Sequence, residues 1–396
     1  MNELLRKLQG DKVIWMVTLL LSILSVLAVY SAISTLAYKA EGNSLKFLFK
    51  HTAMLAVGFG VMFVVHKLPF KYFSKASVVL FWVAAGLLLL TLLVGPDINN
   101  ARRWLRIPFI GLTFQSSDLA KIVLVTFTAR QLNHYRTQLH DFRSGVWPVL
   151  WPILVICGLI LPANFSTALM LGAVCFLMMF IGGVPMRHLF RLAGLGVAGV
   201  ALLFVFGKAA PKVFPRFETW TSRIESFLEP GGDGDYQTNY AQVAIYNGGL
   251  LPKGPGTGLS RNYLPHPYSD MIYAFIIEEY GALLGGVGVM LLFLILLYRS
   301  IRIAIRTPRH FGGLLALGIS FLLVTQAFIN MAVAVRLFPT TGQPLPLLSM
   351  GGTSIIFTCL SIAMIISVSR SVFNPDEDAE ASIPEQPDNS NAYVTA

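Results

Sequence analysis

Few of the 396 side chains carry charge: Asp, Glu, Lys and Arg make up 13% of the chain, against 55% hydrophobic residues. A soluble domain of this length needs a larger charged surface, so a water-exposed globule is excluded and an integral membrane protein is indicated. Cysteine is almost absent, with Cys157, Cys175 and Cys359 all inside apolar runs, so neither a disulfide framework nor a cysteine metal site is present. They read as small buried hydrophobes. The glycines of GGLLPKGPGTG, Gly248 to Gly258, lack the GK[ST] ending and a preceding strand, which argues against a nucleotide loop. Backbone amides near Lys253 can still meet a diphosphate. No repeat of 20 to 50 residues is visible, and the first apolar stretch is too long, and lacks a small-residue cleavage site, for a removable signal peptide.

What the chain has is apolar length. Runs able to cross a ~30 Å hydrocarbon core occur at 13–35, 47–66, 76–95, 117–133, 147–162, 165–184, 189–208, 269–297, 311–335 and 349–370. The expected fold is therefore an all-α, polytopic bundle of ten transmembrane helices with one long extracytoplasmic connection at about 208–269. Asn164 and Ser166 favour a turn after Pro162, splitting the fifth and sixth spans. Arg6, Lys7 and Lys12 precede the first span, and Lys67, Lys71, Lys75, Arg130, Arg136, Arg143, Arg187, Arg191, Arg299, Arg302, Arg306 and Arg309 fall in connections on the same side. That side is expected to be cytoplasmic, with both termini there. The net charge of +10 then needs no nucleic acid, because anchoring near anionic lipid headgroups accounts for much of it. The acidic, proline-bearing end, 373–396, reads as a disordered cytoplasmic tail.

Some cations lie on the other side, against the rule: Arg102, Arg103 and Arg106 in the third connection, and Lys208, Lys212, Arg216, Arg223, Lys253 and Arg261 in the seventh. They suggest an anionic ligand. Within the seventh connection, 215–230 reads as an amphipathic interfacial helix, with Phe217, Trp220, Ile224 and Phe227 or Leu228 opposite Arg216, Arg223 and Glu225. It is either a lid on the bundle or a holder of a lipid-linked substrate. At the start of the fourth span, Ser116 or Ser117 can cap the helix while Asp118 sits at its positive end; Asp118 and Lys121 share a face and can pair. Lys121 can alternatively neutralise a phosphate.

The densest signal is LPHPYSDMIYAFIIEEYG, Leu264 to Gly281, which drives three carboxylates into or against an apolar helix. Acids inside a membrane are costly and usually functional. Asp270 can cap the helix, but capping leaves Glu278 and Glu279 unexplained. At about 100° per residue, Glu278 lies roughly 80° from Asp270 and Glu279 points away. One of the two is expected to line the same cavity as Asp270 and the other to face a neighbouring helix, with Glu278 paired to Lys121 or Arg336.

Four stretches resemble, in order, the motifs of the SEDS family (shape, elongation, division and sporulation) of bacterial ten-span membrane proteins, which includes FtsW and RodA. ARRWLRIPFIGLTFQSSDLAK resembles the family's RW…FQPSELAK, and SRIESFLEP…YQ its R…FL.P…YQ. GPGTG…YLPHPYSDMIYAFIIEEYG resembles LPEAHTDFIFAIIGEELG, and NMAVAVRLFPTTGQPLPLLSMGGTS resembles N…PTTG.PLPFVSYGGSS. The resemblance implies a ten-span SEDS domain over 1–372. It further implies a peptidoglycan glycosyltransferase joining lipid II units at the outer face of the bacterial cytoplasmic membrane, with a class B penicillin-binding protein and other divisome proteins as partners. Asp270 falls on the family's essential aspartate. Lys121, Arg216, Arg223, Lys253, and Glu278 or Glu279, fall in or near its outward cavity. The chain departs at Asp118 for Glu, at His266-Pro267-Tyr268 for Glu-Ala-His, at Asn164 for Asp, and at Gln343 and Met350.

The chemistry expected is a general base at Asp270 for the acceptor hydroxyl, with Lys121, Arg216, Arg223 and Lys253 stabilising undecaprenyl diphosphate as it leaves. A divalent cation can assist a diphosphate, but no cluster of oxygen ligands identifies one. A lipid II flippase and a non-catalytic scaffold are the competing readings. PTTG at Pro339 to Gly342 and the polar tail favour division over elongation.

Overall fold

The computed structural model describes residues 9–39, 44–96, 103–106, 113–209, 216–229, 236–260 and 269–373. Arg6, Lys7, Arg102, Lys212, Arg261, the Leu264 to Tyr268 part of the acidic motif and the tail beyond residue 373 lie outside these.

Every predicted span is a helix. They are α1 (Lys12–Lys39), α2 (Ser44–Val65), α3 (Lys71–Val94), α4 (Ser116–His134), α5 (Trp147–Ile160), α6 (Phe165–Ile181) and α7 (Met186–Ala209), then, after the long connection, α10 (Ile272–Tyr280) continuing into α11 (Val289–Arg306), α12 (His310–Ala334) and α13 (Gly352–Phe373). The connection holds α8 (Phe217–Leu228) and α9 (Tyr236–Gly248). Among the described residues, eight helices are long and apolar enough to cross a membrane by length and composition. The other two predicted spans fall short for opposite reasons. α6 is only 17 residues long. α4 carries Asp118, Lys121, Arg130, Gln131 and His134, yet it is the most enclosed of the early helices, packed between α3, α5, α6, α12 and α13. A helix hidden from lipid can keep charges that a peripheral helix cannot.

The architecture follows from that distinction. α4, α12 and α13 form the buried centre, whereas α7 touches its neighbours lightly and turns Phe190, Leu195, Val197 and Val205 outward. Hydroxyls inside the helices bond back to the preceding turn, as Thr18 does to the Ile14 carbonyl and Thr126 to the Ile122 carbonyl, both at 2.8 Å. The donors of these hydroxyls are thereby satisfied within their own helices. The turn expected after Pro162 is present: Asn164 Oδ1 accepts from Thr167 N (3.3 Å) and caps α6.

Three expectations are corrected. Neither Ser116 nor Ser117 caps α4, because the residue before the helix is Gln115, held extended by a short hairpin of β1 (Trp104–Arg106) and β2 (Thr113–Gln115). Ser116 instead accepts from the Thr91 hydroxyl at 2.9 Å. Asp270 does not cap α10, whose N-cap position is Met271 without a side-chain bond. The eighth span is one continuous apolar stretch to Arg306, longer than predicted, with a π-helical segment, Gly281–Gly288, in its middle. Gly281 starts that segment at φ +73°, and a Cβ there would meet Leu250 O and Leu251 O at 2.7 Å. Only glycine fits this position. The widened turn frees the amides of Ala282 and Leu283 to bond the carbonyls of Gly249 (2.9 Å) and Leu250 (3.2 Å), strapping the long connection to the bundle.

Candidate functional site

Between α12 and α13 the chain runs without regular structure through PTTGQPLPLLSM, and much of it is buried. Irregular backbone at membrane depth needs partners within the protein. Gln326 Nε2 donates to the Pro344 carbonyl and Asn330 Nδ2 to the Gln343 carbonyl, both at 2.8 Å. Ser25 Oγ donates to the Leu347 carbonyl at 2.7 Å, and Ser349 Oγ to that of Ser269 at 2.8 Å. Asn330 Nδ2 also donates to the carbonyl of Asp270 (2.8 Å), so one amide ties this segment to the start of α10.

Asp270 is half-buried, and its Oδ1 accepts from the Ser269 hydroxyl at 3.0 Å. Its Oδ2 faces Gly342, where a Cβ would lie 3.6 Å away. There is room for a side chain there, but Gly342 has φ +64°, and the backbone requires glycine. Arg223 reaches in from α8 and donates to the Thr340 carbonyl at 3.0 Å. Burial pulls its pKa below the usual arginine value, and the nearby Asp270 carboxylate works in the opposite direction. Acid and guanidinium thus meet at the 340–342 turn.

Beside that turn opens a cavity of about 320 Å³. Its apolar walls include Phe165 and Leu169 of α6, Phe204 of α7, Trp220 of α8 and Ile329 of α12. Arg103, Arg216 and Arg223 line it too. Arg103 Nε (2.9 Å) and Arg216 Nη1 (2.6 Å) share the Ala163 carbonyl, the residue just before the cap of α6. α8 is the amphipathic helix expected, with Phe217 and Trp220 buried against Phe165 and Phe204. Arg216, expected on its polar side, is buried and turned into the cavity wall.

The remaining predicted residues lie elsewhere. Lys121 pairs with Asp118 (2.9 Å) as expected and donates to Gln326 Oε1 at 3.0 Å, inside a small separate cavity with Ser354 and Thr358. Arg336 donates to Asn239 Oδ1 and the Ser226 carbonyl, both at 3.3 Å. Lys253 is exposed, its ammonium on the Asn247 carbonyl. The expected pairing of Glu278 with Lys121 or Arg336 is overturned. Glu278 Oε1 accepts from the amides of Leu259 (3.0 Å) and Ser260 (3.2 Å) and from the Ser260 hydroxyl (3.0 Å). Glu279 Oε1 accepts from the amides of Gly256 (2.9 Å) and Gly258 (3.4 Å) and from the Ser31 hydroxyl. The two carboxylates therefore grip one loop from adjacent sides of α10. A row of backbone amides solvates a buried carboxylate without needing a cation.

Arg103, one of the outward cations expected to meet an anionic ligand, lines the cavity, whereas Gln326, Asn330 and Gly342 join the site without having been singled out for it. For Gln326 and Asn330 a signal existed: two amide side chains four residues apart on one face of an apolar helix. Among the described residues, no three His, Cys, Asp or Glu side chains converge to hold a metal ion.

Fold and site together define a multi-pass helical membrane protein with an apolar-walled cavity lined by three guanidinium groups, next to the loop that Asp270 faces. The chain belongs to the FtsW/RodA/SpoVE family: the family model described as "Cell cycle protein" matches residues 11–373. A Geobacter protein (strain M18) named "Probable peptidoglycan glycosyltransferase FtsW" is 33% identical over 92% of this chain and 98% of its own. "Stage V sporulation protein E" of Bacillus subtilis is 31% identical over the same shares. Among solved structures, a chain from a peptidoglycan synthase complex studied for the coordination of polymerization and crosslinking superposes with a TM-score of 0.70 at 25% identity, covering 92% of this chain and 99% of that one. Rod shape determining protein RodA of Thermus thermophilus has the same fold, with a TM-score of 0.66 at 24% identity and coverage of 92% and 98%.

Proposed function

We propose that this protein is a peptidoglycan glycosyltransferase that polymerises lipid II at the outer face of the bacterial cytoplasmic membrane, with both termini in the cytoplasm. The observation that carries the reading is the cavity, in which apolar walls suited to an isoprenoid meet Arg103, Arg216 and Arg223 one turn of loop away from Asp270. Its size lies in the range of cavities that enclose a ligand.

In the proposed reaction the acceptor sugar hydroxyl attacks the anomeric carbon of the donor and passes its proton to Asp270. The bond from that carbon to the diphosphate breaks, and undecaprenyl diphosphate leaves with the electron pair. The guanidinium groups of Arg216 and Arg223, with Arg103, receive the charge that develops on the diphosphate. Lys121, Glu278 and Glu279 support the surrounding loops, Arg336 lies beside Arg223 and Thr340, and Lys253 stands apart on the Asn247 carbonyl. Septal synthesis during division is the preferred role, supported by the relatives named FtsW. A class B penicillin-binding protein is the proposed partner, supported by the solved synthase complex.

Purified protein, alone and bound to that partner, is expected to convert lipid II into polymer visible on a gel. Lipid II crossing proteoliposome membranes with no polymer formed by either preparation would replace this reading with transport.

A further inference from the structure

The end of the molecule opposite Asp270 carries a second basic cavity. α11 follows the π-helical segment, and its 18 residues rise roughly 27 Å at 1.5 Å per residue, which sets its last two turns on the far face. There Arg299, Arg302 and Arg306 line a cavity of about 70 Å³ with Asp11, Ile303 and Val372. Arg299 is committed: its Nε (2.8 Å) and Nη2 (2.6 Å) both reach Asp11 Oδ2. Asp11 is committed as well, accepting from the amides of Val13 (2.9 Å) and Ile14 (3.3 Å) to cap α1. Arg302 and Arg306 have no carboxylate partner among the described residues. Arg302 lies over the exposed Tyr298 ring, 5.8 Å from its centroid, which leaves its N–H edges free to donate. Tyr298, Ile295 and Leu291 continue outward along the same helix as exposed apolar residues. The cavity therefore combines an excess of two positive charges with an apolar stripe running from it toward mid-membrane.

We propose that Arg302 and Arg306, with Arg299 held in place by Asp11, form a binding site for the phosphate headgroup of an anionic phospholipid whose acyl chains lie along Leu291, Ile295 and Tyr298. Dipole complementarity at the end of α11 explains one arginine in the last turn. It does not explain a cavity between three helix ends, of the kind in which basic side chains take lipid headgroups. This proposal does not rest on the glycosyltransferase reading.

The test is native mass spectrometry of the full chain released from phosphatidylcholine nanodiscs doped with phosphatidylglycerol, with retained phosphatidylglycerol as the readout. Removing each arginine, in Arg302→Ala and Arg306→Ala, is expected to weaken retention about fivefold, the equivalent of about 1 kcal/mol per cation at a membrane surface. Arg302→Lys with Arg306→Lys is expected to keep most of it. Arg306 is exposed, so the single Arg306→Ala variant serves if the double variant does not fold. Equal loss in Arg143→Ala, a cation on the same face outside the cavity, would overturn the site in favour of diffuse attraction. Displacement by inorganic phosphate alone would overturn the lipid assignment in favour of a soluble anion.

Discussion

At the scale of single residues, Asn330 and Lys121 are both buried and polar, but they answer to different physics. Asn330 gives its two amide protons to the carbonyls of Asp270 and Gln343, so it positions the aspartate without touching substrate. Asn330→Asp keeps the shape and loses the donors. In that variant polymerisation is expected to fall at least tenfold with little change in lipid II affinity, a split that steady-state kinetics on kcat and KM resolves. Lys121 neutralises Asp118, and Lys121→Met leaves that carboxylate buried alone. The expected cost is about 3–5 kcal/mol, largely restored by the double change Asp118→Leu with Lys121→Met. Thermal unfolding in detergent measures both.

The charged members of the site were legible in the sequence because Asp270, Arg216 and Arg223 stand where membrane insertion disfavours them. The partners of Glu278 were not, because helical periodicity gives the direction of a side chain but not which distant loop returns to meet it.

At the scale of elements, the π-helical segment decides how the long connection is held. Gly281→Ala places a Cβ against Leu250 and Leu251 and strains a backbone at φ +73°. The loop 249–260 is then expected to detach, and limited proteolysis should cut it well before wild type is cut. A smaller example lies in the connection before α5, where the Ser144 hydroxyl and amide hold the Asp141 carboxylate below its ordinary pKa. A depressed carboxylate adds stability above its unfolded pKa and loses it as pH falls through the folded value. Ser144→Ala should accordingly move the Asp141 titration upward, which carbon-detected NMR of the side chain can follow.

The ten helices follow from hydrophobic length, and even α4 was found from its apolar run although its charges lower its mean hydropathy. The β1–β2 hairpin and α9 were not legible: three-residue strands carry no periodicity, and the fully buried residues of α9 are all small, Ala241 and Ala244 among them.

At the scale of the whole molecule, two basic cavities sit toward opposite ends of the eighth span, one near Asp270 and one beside the capped start of α1. The first takes its form from α6, α7 and α8, of which α7 is loosely held. Filling the cavity with a larger wall residue, Leu169→Trp, is expected to raise the KM for lipid II severalfold and leave thermal stability near that of wild type, since Leu169 already faces open space. The bundle and its outward cations were legible as a pattern of charge and apolar length, whereas the cavity itself depends on how the 339–350 segment and α8 fold back.

In the proposed mechanism Asp270 takes the proton of the acceptor hydroxyl. The most direct test is single-turnover polymerisation of lipid II by Asp270→Asn, beside a binding measurement on the same sample. Lipid II affinity is expected within a fewfold of wild type and the rate lower by about 10²–10⁴, the usual contribution of a general base. Polymer formed at the wild-type rate would contradict it.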